Sequence, residues 1–302
     1  MAASQPALPL ARPRARSAAR DRLVADVLAY ALIVVFSAVS MFPFVWTFLS
    51  SGKEVSEFFQ FPPSLWPANP RWIENYTEIW TRVPFGQWLW NTFFVTVVSL
   101  IGTVLSASLV AYSFARFRYP GRDAFFLITL ATLMLPVEVT LIPQYLLFKQ
   151  LGWLDTFLPL IVPFWFGGGA FNIFLMRQFF MTIPYDLDEA ARIDGATSWR
   201  VFWQILMPLC RPALATMATL GFVSHWNNFL GPLIFISSES KYVVAVGLRY
   251  FSSGVTQGQA ASRPQDHLLM GAALMIALPC LVLFFLAQRY FVQGIVMSGI
   301  KG

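Results

Sequence analysis

Few residues in this 302-residue chain could do covalent chemistry. Only two histidines, His225 and His267, are available as bases, and the one hydroxyl beside either of them belongs to Ser224. Sequence neighbours on a helix do not face each other, so Ser224 and His225 are poorly placed for nucleophilic catalysis. No GxSxG or HExxH pattern occurs, and the segment from Gly294 to Lys301 falls short of a phosphate-binding loop. We therefore predict that this chain is not an enzyme and has no catalytic residue, metal site or cofactor of its own.

The remaining polar candidates lie inside long apolar stretches: Glu138, Asn172, Trp226, Asn227 and Asn228. An acidic side chain at mid-membrane depth costs roughly 2.5 to 3.5 kcal/mol on insertion scales, so Glu138 should face protein or water rather than lipid. Three roles stay open for Glu138, namely a hydrogen bond to a neighbouring helix end, a pathway or gate, and proton coupling. The other four residues are candidates for the pathway, with interhelical hydrogen bonding as the structural alternative.

A polar island between apolar stretches is the most informative feature of the sequence. It consists of Glu189, Ala190, Ala191, Arg192, Ile193, Asp194 and Gly195, followed by Ile205 and Pro208. Asp186 as an N-cap with Glu189 three residues later is a capping-box pattern, which predicts the start of a short helix. Gly195 can adopt the left-handed conformation that ends such a helix, and Thr197 or Ser198 can cap a second one. Small alanines allow close approach, so we predict a docking surface for a soluble partner.

Composition indicates a membrane protein. The chain is 57% hydrophobic and 12% charged, with a mean hydropathy of +0.61, whereas soluble proteins average about 25% charged residues. Apolar stretches of about 20 residues are long enough to cross a bilayer, and they lack the alternation of barrel strands. We predict an all-α membrane protein with six transmembrane helices, near residues 27–49, 90–114, 125–148, 157–176, 213–235 and 268–286.

Positive charge predicts the orientation. Fourteen of the 21 lysines and arginines fall on the side that holds both termini and the polar island. Lysine and arginine near span ends are retained in the cytoplasm, so both termini and the island should be cytoplasmic. This bias accounts for the net charge of +6 without a nucleic-acid partner. We predict a basic cytoplasmic N-terminus at 1–26, a membrane domain at 27–293 with a cytoplasmic loop at 177–212, and a cytoplasmic tail at 294–302.

The island resembles the EAA loop of binding-protein-dependent ABC importers. The pattern of that loop is Glu-Ala-Ala, three residues, Gly, nine residues, Ile, one residue and Leu-Pro, and this chain departs from it only at Met207. The segments around Arg177, Leu141 and Gln288, and the run from Trp226 to Leu233, are similar to carbohydrate-uptake permeases of the maltose and glycerol-3-phosphate type, specifically the MalG-like partner. The resemblance covers about residues 25 to 302.

The resemblance implies the type I ABC importer permease fold, with the island as a cytoplasmic coupling helix. It implies a second related permease, two ATPase subunits that bind ATP and Mg, and an extracytoplasmic solute-binding protein, in a bacterial or archaeal cell membrane. The residues that would couple to the ATPase are Glu189, Ala190, Ala191, Asp194, Gly195, Ile205 and Pro208, with a tail contact at Gln293, Gly294 and Lys301.

The solute and one rival function stay open at this stage. A neutral mono- or oligosaccharide is favoured over glycerol-3-phosphate, because the predicted spans hold no patch of arginine or lysine. The rival is an ion- or proton-coupled secondary transporter that uses Glu138 and works without an ATPase.

Overall fold

The computed structural model describes residues 15–249, 251 and 265–299, with side chains for residues 22–249, 251 and 265–288. All regular structure in these residues is helical. The helices are α1 Ala15–Ser51, α2 Val55–Phe58, α3 Trp72–Arg82, α4 Phe85–Arg116, α5 Arg122–Ala131, α6 Val137–Gln150, α7 Leu158–Ile161, α8 Ala170–Thr182, α9 Asp186–Ile193, α10 Ser198–Arg200, α11 Met207–Leu209, α12 Arg211–Trp226, α13 Leu230–Phe235, α14 Val244–Gly247 and α15 Asp266–Gly299. Four described helical stretches could each cross a membrane, or six if each of two bent helix pairs is one span. The predicted all-α membrane fold is confirmed.

Helix α4 is the centre of the fold, packed against both α8 and α12. A row of small residues at four-residue spacing, each at most 1% exposed, lies along it: Ser99, Thr103, Ala107 and Ala111. Residues at this spacing share one helix face, and small side chains let neighbouring backbones approach closely. This face therefore sets the distance between α4 and the helices around it.

The span predicted near 157–176 is a helix interrupted in its middle. After α7 and a 3-10 turn over Val162–Trp165, the chain passes through Gly167, Gly168 and Gly169, all with positive φ, before α8 begins. Such a break leaves backbone carbonyls without helical partners, which is tolerated at membrane depth only where protein or water satisfies them. Side chains of α4 satisfy two of them, since Ser99 Oγ donates to Leu160 O at 2.9 Å and Ser106 Oγ donates to Phe164 O at 3.0 Å.

Two further predicted spans are also interrupted. The stretch at 125–148 bends by 101° between residues 134 and 137. Pro136 is the cause, because proline lacks an N–H and favours an extended preceding residue, and Leu135 has ψ 116. The stretch at 213–235 is divided between α12 and α13, where Asn228 Oδ1 accepts a hydrogen bond from Gly231 N at 3.2 Å.

Asp155 joins the loop after α6 to the turn after α13. Its carboxylate accepts hydrogen bonds from Ser237 N at 3.0 Å and Ser238 N at 2.8 Å, and Lys241 Nζ lies 3.0 Å from Oδ2. The hydroxyl and amide of Ser238, with the Lys241 ammonium, hold the pKa of Asp155 well below its usual range. Asp155 is therefore ionised at neutral pH, and the two loops form one connected surface.

Arg116, the last residue of α4, joins the membrane helices to the polar island. Its Nε lies 3.0 Å from Asp188 Oδ2, and the two side chains are 5% and 3% exposed. Arg116 Nη2 also donates to Ile183 O at 3.0 Å, and Tyr185 OH donates to Arg116 O at 3.4 Å. One arginine thus fixes the connection from α8 to α9 against the end of α4.

We predict that Arg116→Gln destabilises the protein by about 3 to 5 kcal/mol, because removing one partner leaves the Asp188 carboxylate buried without a counter-charge. Thermal unfolding of the purified protein in detergent measures this loss. The control is Arg82→Gln, which breaks a partly exposed ion pair with Glu78 on α3 and should cost less than about 1 kcal/mol. Equal effects of the two substitutions would contradict the prediction.

The same pair predicts a pH dependence. Burial raises the pKa of Asp188, and the nearby Arg116 and Arg192 oppose that rise. A raised folded-state pKa means that the charged carboxylate is the unfavourable form, and that its cost is relieved as the pH falls. The deficit of Arg116→Gln should therefore shrink from about pH 8 to about pH 5, towards the ordinary range of aspartate. A deficit that does not change over this range would contradict this account.

Candidate functional site

The polar island forms two short helices joined by a glycine turn, and we call residues 186–209 the coupling segment. α9 ends at Ile193, and Gly195 follows with φ +80. Thr197 Oγ1 accepts a hydrogen bond from Arg200 N at 3.3 Å and caps the second helix, which continues as a π-helix over Val201–Leu206 and then α11. The predicted turn at Gly195 and the predicted cap at Thr197 are confirmed.

The predicted capping box at the start of α9 is wrong. The N-cap is Tyr185, whose backbone is already helical, and it makes no side-chain cap hydrogen bond. Asp186 is therefore the first helical residue, and with Asp188 and Glu189 it places three acids in the first turn. Negative charge near a helix N-terminus interacts favourably with the helix dipole, so the acids support α9 without closing a cap.

The predicted coupling residues divide between two faces of the segment. Exposed members are Glu189, Ala190, Asp194, Gly195 and Pro208. Ala191 is buried and Ile205 is half-buried, and both pack in the cluster that contains Phe202, Phe180 and Tyr112. Tyr112 OH also donates to Ser198 O at 3.0 Å. One face of the coupling segment is thus fixed to α4 and α8, and the other is presented outward.

Two apolar side chains on the outward face were not among the predicted site residues. Ile193 is 86% exposed and Trp199 is 60% exposed, on either side of the Gly195 turn. Large exposed apolar residues beside a turn suit anchoring in a partner's pocket. The signal was present in the sequence, since Ile193 ends the amphipathic pattern of α9, but only the fold shows which side it faces.

A cavity with mixed polar and apolar lining lies where α4, the broken span and α12 meet. Its volume is about 200 Å³, and its lining includes Thr103, Phe164, Gly168, Phe171, Asn172, Leu220, Gly221, Ser224 and His225. Thr103 Oγ1 lies 3.5 Å from His225 Nε2, and the Phe164 ring meets the imidazole edge-on with centroids 4.4 Å apart. Asn172 Nδ2 donates to Gly168 O at 2.7 Å, so the amide supports the glycine break. Asn172 is the predicted pathway residue that lines this cavity.

Glycine is required where the broken span meets α4. Gly168 has φ +62, and a Cβ at this position would lie 2.5 Å from Thr103 O. Any larger residue would therefore need both a strained backbone and a shift of α4. The cavity consequently depends on this close contact between the two elements.

The other predicted pathway residues lie apart from the cavity. Trp226 is 2% exposed, and its Nε1 donates to Ile276 O at 3.0 Å, which ties α12 to α15. Asn227 Nδ2 donates to Val223 O at 2.9 Å at the end of its own helix, and Asn228 Oδ1 accepts the hydrogen bond from Gly231 N in the first turn of α13. Glu138 is exposed in the first turn of α6, with no hydrogen bond or ion pair to another described residue.

The predicted tail contact lies at the end of α15. Gln293 and Gly294 belong to that helix, which extends through Gly299, and Lys301 lies outside the described residues. In the described part of the chain, no cluster of three or more histidine, cysteine, aspartate or glutamate side chains is arranged to hold a metal ion.

The family match and the sequence relatives of this chain are all transport-system membrane proteins. Residues 107–297 match the family model described as binding-protein-dependent transport system inner membrane component. The chain is 33% identical over 279 residues to the sn-glycerol-3-phosphate transport system permease protein UgpE of Yersinia enterocolitica, covering 90% of this chain and 96% of the relative. It is 32% identical over 286 residues to the diacetylchitobiose uptake system permease protein NgcG of Streptomyces coelicolor, covering 94% of this chain and 92% of the relative.

Solved structures agree with the sequence comparison. A chain from the crystal structure of a bacterial ABC transporter involved in the import of the acidic polysaccharide alginate superposes with a TM-score of 0.78 and 26% identity, over 93% of this chain and 100% of that one. The match of the family model, the two permease relatives and this superposition lead to one assignment. The chain belongs to the family of binding-protein-dependent transport system inner membrane components.

Proposed function

We propose that this chain is one permease subunit of an ATP-driven carbohydrate importer and that the coupling segment is its contact with an ATPase subunit. The observation that carries the proposal is the outward face of α9, where Ile193 is 86% exposed on a helix whose inner face is held by Arg116. A docking helix must transmit movement in both directions, and a buried ion pair at its base makes that connection stiff.

The names of the relatives support the inference that this chain works with partner proteins. Both sequence relatives are permease proteins of transport or uptake systems, and the alginate importer is a bacterial ABC transporter. A second alginate transporter structure is a complex with a periplasmic protein that carries an alginate pentasaccharide, and this chain shares its fold at 16% identity and a TM-score of 0.64. We infer a second permease, two ATPase subunits and a solute-binding protein for this chain, with ATP and Mg held by the ATPase subunits. Both termini lie in the cytoplasm of a bacterial or archaeal cell.

We assign the membrane cavity to the solute pathway. Its lining combines an amide, two hydroxyls and an imidazole with the rings of Phe164 and Phe171, which are groups suited to hydroxyl-rich ligands. Irregular backbone at membrane depth occurs where it lines a cavity or is buried in protein, and the Gly167 to Gly169 break meets that condition. Ring stacking and weak hydrogen bonding would let a carbohydrate pass without being held tightly.

The first test is affinity purification of the tagged chain in mild detergent, followed by identification of the proteins that accompany it and an ATPase assay. We expect a second permease and an ATPase subunit. Recovery of a lone chain that carries solute into liposomes without ATP would overturn the proposal and direct attention to Glu138.

Replacement of the exposed anchor tests the docking face. Ile193→Ser should weaken association with the ATPase subunit roughly 10- to 150-fold, because burying an isoleucine side chain is worth about 1.5 to 3 kcal/mol. The amount of ATPase that co-purifies with the tagged chain is the measurement. Ile73→Ser on α3 is the matched control, since Ile73 is 82% exposed, and its ATPase recovery should be unchanged. Equal recovery from both variants would contradict the assignment of this face.

The glycine turn gives a second test of coupling. Gly195→Asp should reduce uptake and ATPase stimulation severalfold, because the new charge joins Glu189 and Asp194 on the proposed docking face and the left-handed conformation suits glycine better than a residue with a Cβ. Gly152→Asp is the control, since Gly152 also has positive φ and a Cβ added at either glycine would meet no other atom within 4 Å. Uptake should be lower for Gly195→Asp than for Gly152→Asp. Equal losses of uptake would mean that backbone strain alone is responsible.

Filling the cavity tests the pathway assignment. Ser224→Trp places an indole in a volume of about 200 Å³, so uptake should be lost while the importer still assembles. Val223→Trp is the control, because Val223 is 40% exposed and outside the cavity lining. Normal uptake by an assembled Ser224→Trp importer would remove this cavity from the pathway.

A further inference from the structure

A second cavity lies at the turn between α4 and α5, at the same end of α4 as Arg116. Its volume is about 300 Å³, and it is lined by Arg118, Tyr119, Gly121, Arg122, Asp123 and Ala124. Neither the coupling segment nor the solute cavity contains any of these residues. The predicted orientation places this turn at the cytoplasmic surface of the membrane.

The cavity carries excess positive charge. Arg118 is exposed and makes no hydrogen bond or ion pair with another described residue. Arg122 is paired with Asp123, with Nε donating to Oδ1 at 2.8 Å, and that carboxylate is 77% exposed. Arg177 lies close enough for its charge to interact with those of Arg122 and Asp123. The guanidinium groups of Arg118, Arg122 and Arg177 thus lie in or beside this turn, and Asp123 is the one carboxylate among the residues that line the cavity.

Arg177 is held in place without using its full hydrogen-bonding capacity. Its guanidinium carbon lies 4.1 Å from the centroid of the Phe126 ring, and its Nε is buried without a hydrogen-bond partner. Stacking on an aromatic face fixes the position of the Arg177 guanidinium group, so its positive charge stays beside the cavity. The positive charge of Arg118, Arg122 and Arg177 therefore favours binding of a further negatively charged group at this turn.

An apolar surface continues directly from the basic cavity. No residue of α5 is buried, and its exposed side chains include Phe125 at 58%, Leu127 at 67% and Ile128 at 62%. Gly121 has φ +80, and a Cβ there would lie 3.2 Å from the Phe125 ring, so the turn brings the cavity rim against the first ring of this surface. A free anion would use only the basic part, whereas an amphiphile would use both.

We propose that this turn is a binding site for an anionic phospholipid, with the headgroup phosphate between Arg118 and Arg122 and an acyl chain along α5. Basic pockets between membrane helices on the cytoplasmic side are suited to such headgroups. Phe117 and Tyr119 of the same turn pack against the cluster that contains Ala191 of the coupling segment. A bound lipid would therefore stabilise the packing of this turn against α9.

Native mass spectrometry of the purified complex, titrated with phosphatidylglycerol or phosphatidylcholine, tests the proposal. The wild type should retain phosphatidylglycerol at one saturable site, and Arg118→Gln should bind it about fivefold more weakly, as expected for one arginine near an anionic surface. Arg22→Gln is the matched control, because Arg22 is exposed at the same predicted membrane face and far from the cavity in sequence. Its phosphatidylglycerol affinity should equal that of the wild type.

A variant that should bind the lipid more tightly makes the test independent of folding, because misfolding would only weaken binding. Asp123→Asn removes the only carboxylate of the cluster and should tighten phosphatidylglycerol binding. Equal affinity of wild type, Arg118→Gln and Asp123→Asn would overturn the proposal. Equal retention of phosphatidylcholine would show a merely apolar surface, and displacement of the lipid by millimolar inorganic phosphate would show a phosphate site; either result would also overturn it. The readout needs neither ATP hydrolysis nor solute, so its failure is distinct from a failure of the importer proposal.

Discussion

The buried contact between Arg116 and Asp188 is the constraint on which the functional surface depends. Arg116 ends the central helix α4, and through Asp188, Ile183 and Tyr185 it holds the chain just before and within α9. Burying two charges is expensive, and such pairs contribute little net stability compared with apolar packing. The Arg116–Asp188 pair matters for geometry instead, because it fixes the angle at which α9 leaves the membrane helices. Movement of α9 would therefore be transmitted directly to α4.

The same central helix also makes the membrane cavity. Its small side chains allow the glycine break to pack closely against it. Its serine hydroxyls donate hydrogen bonds to carbonyls that have no helical partner at the break. Helix α4 thus connects the coupling segment at one end with the cavity lined by Asn172 and His225 in its middle. In the proposed importer, such a rigid element would convert movement of the ATPase subunits into a change at the cavity.

The solutes in the names of the relatives are chemically diverse. They include glycerol-3-phosphate, diacetylchitobiose and alginate, of which two are acidic. The coupling segment is determined by contacts that do not depend on solute chemistry, whereas the groups lining the cavity include Asn172, Ser224 and His225. One fold therefore serves relatives with chemically different solutes, and the fold alone does not identify the solute of this chain.

The sequence by itself determined the membrane class, the two short helices of the polar island, the Gly195 turn and the Thr197 cap, because these depend on composition and on local backbone preferences. It did not determine the breaks near Pro136 and Asn228, since hydropathy averages over a stretch and does not register a bend. The partnership of Arg116 with Asp188, and of Thr103 with His225, joins residues distant in sequence. Only the tertiary structure decided these, because the packing of α4 against its neighbours selects which polar groups meet and which face of α9 remains exposed.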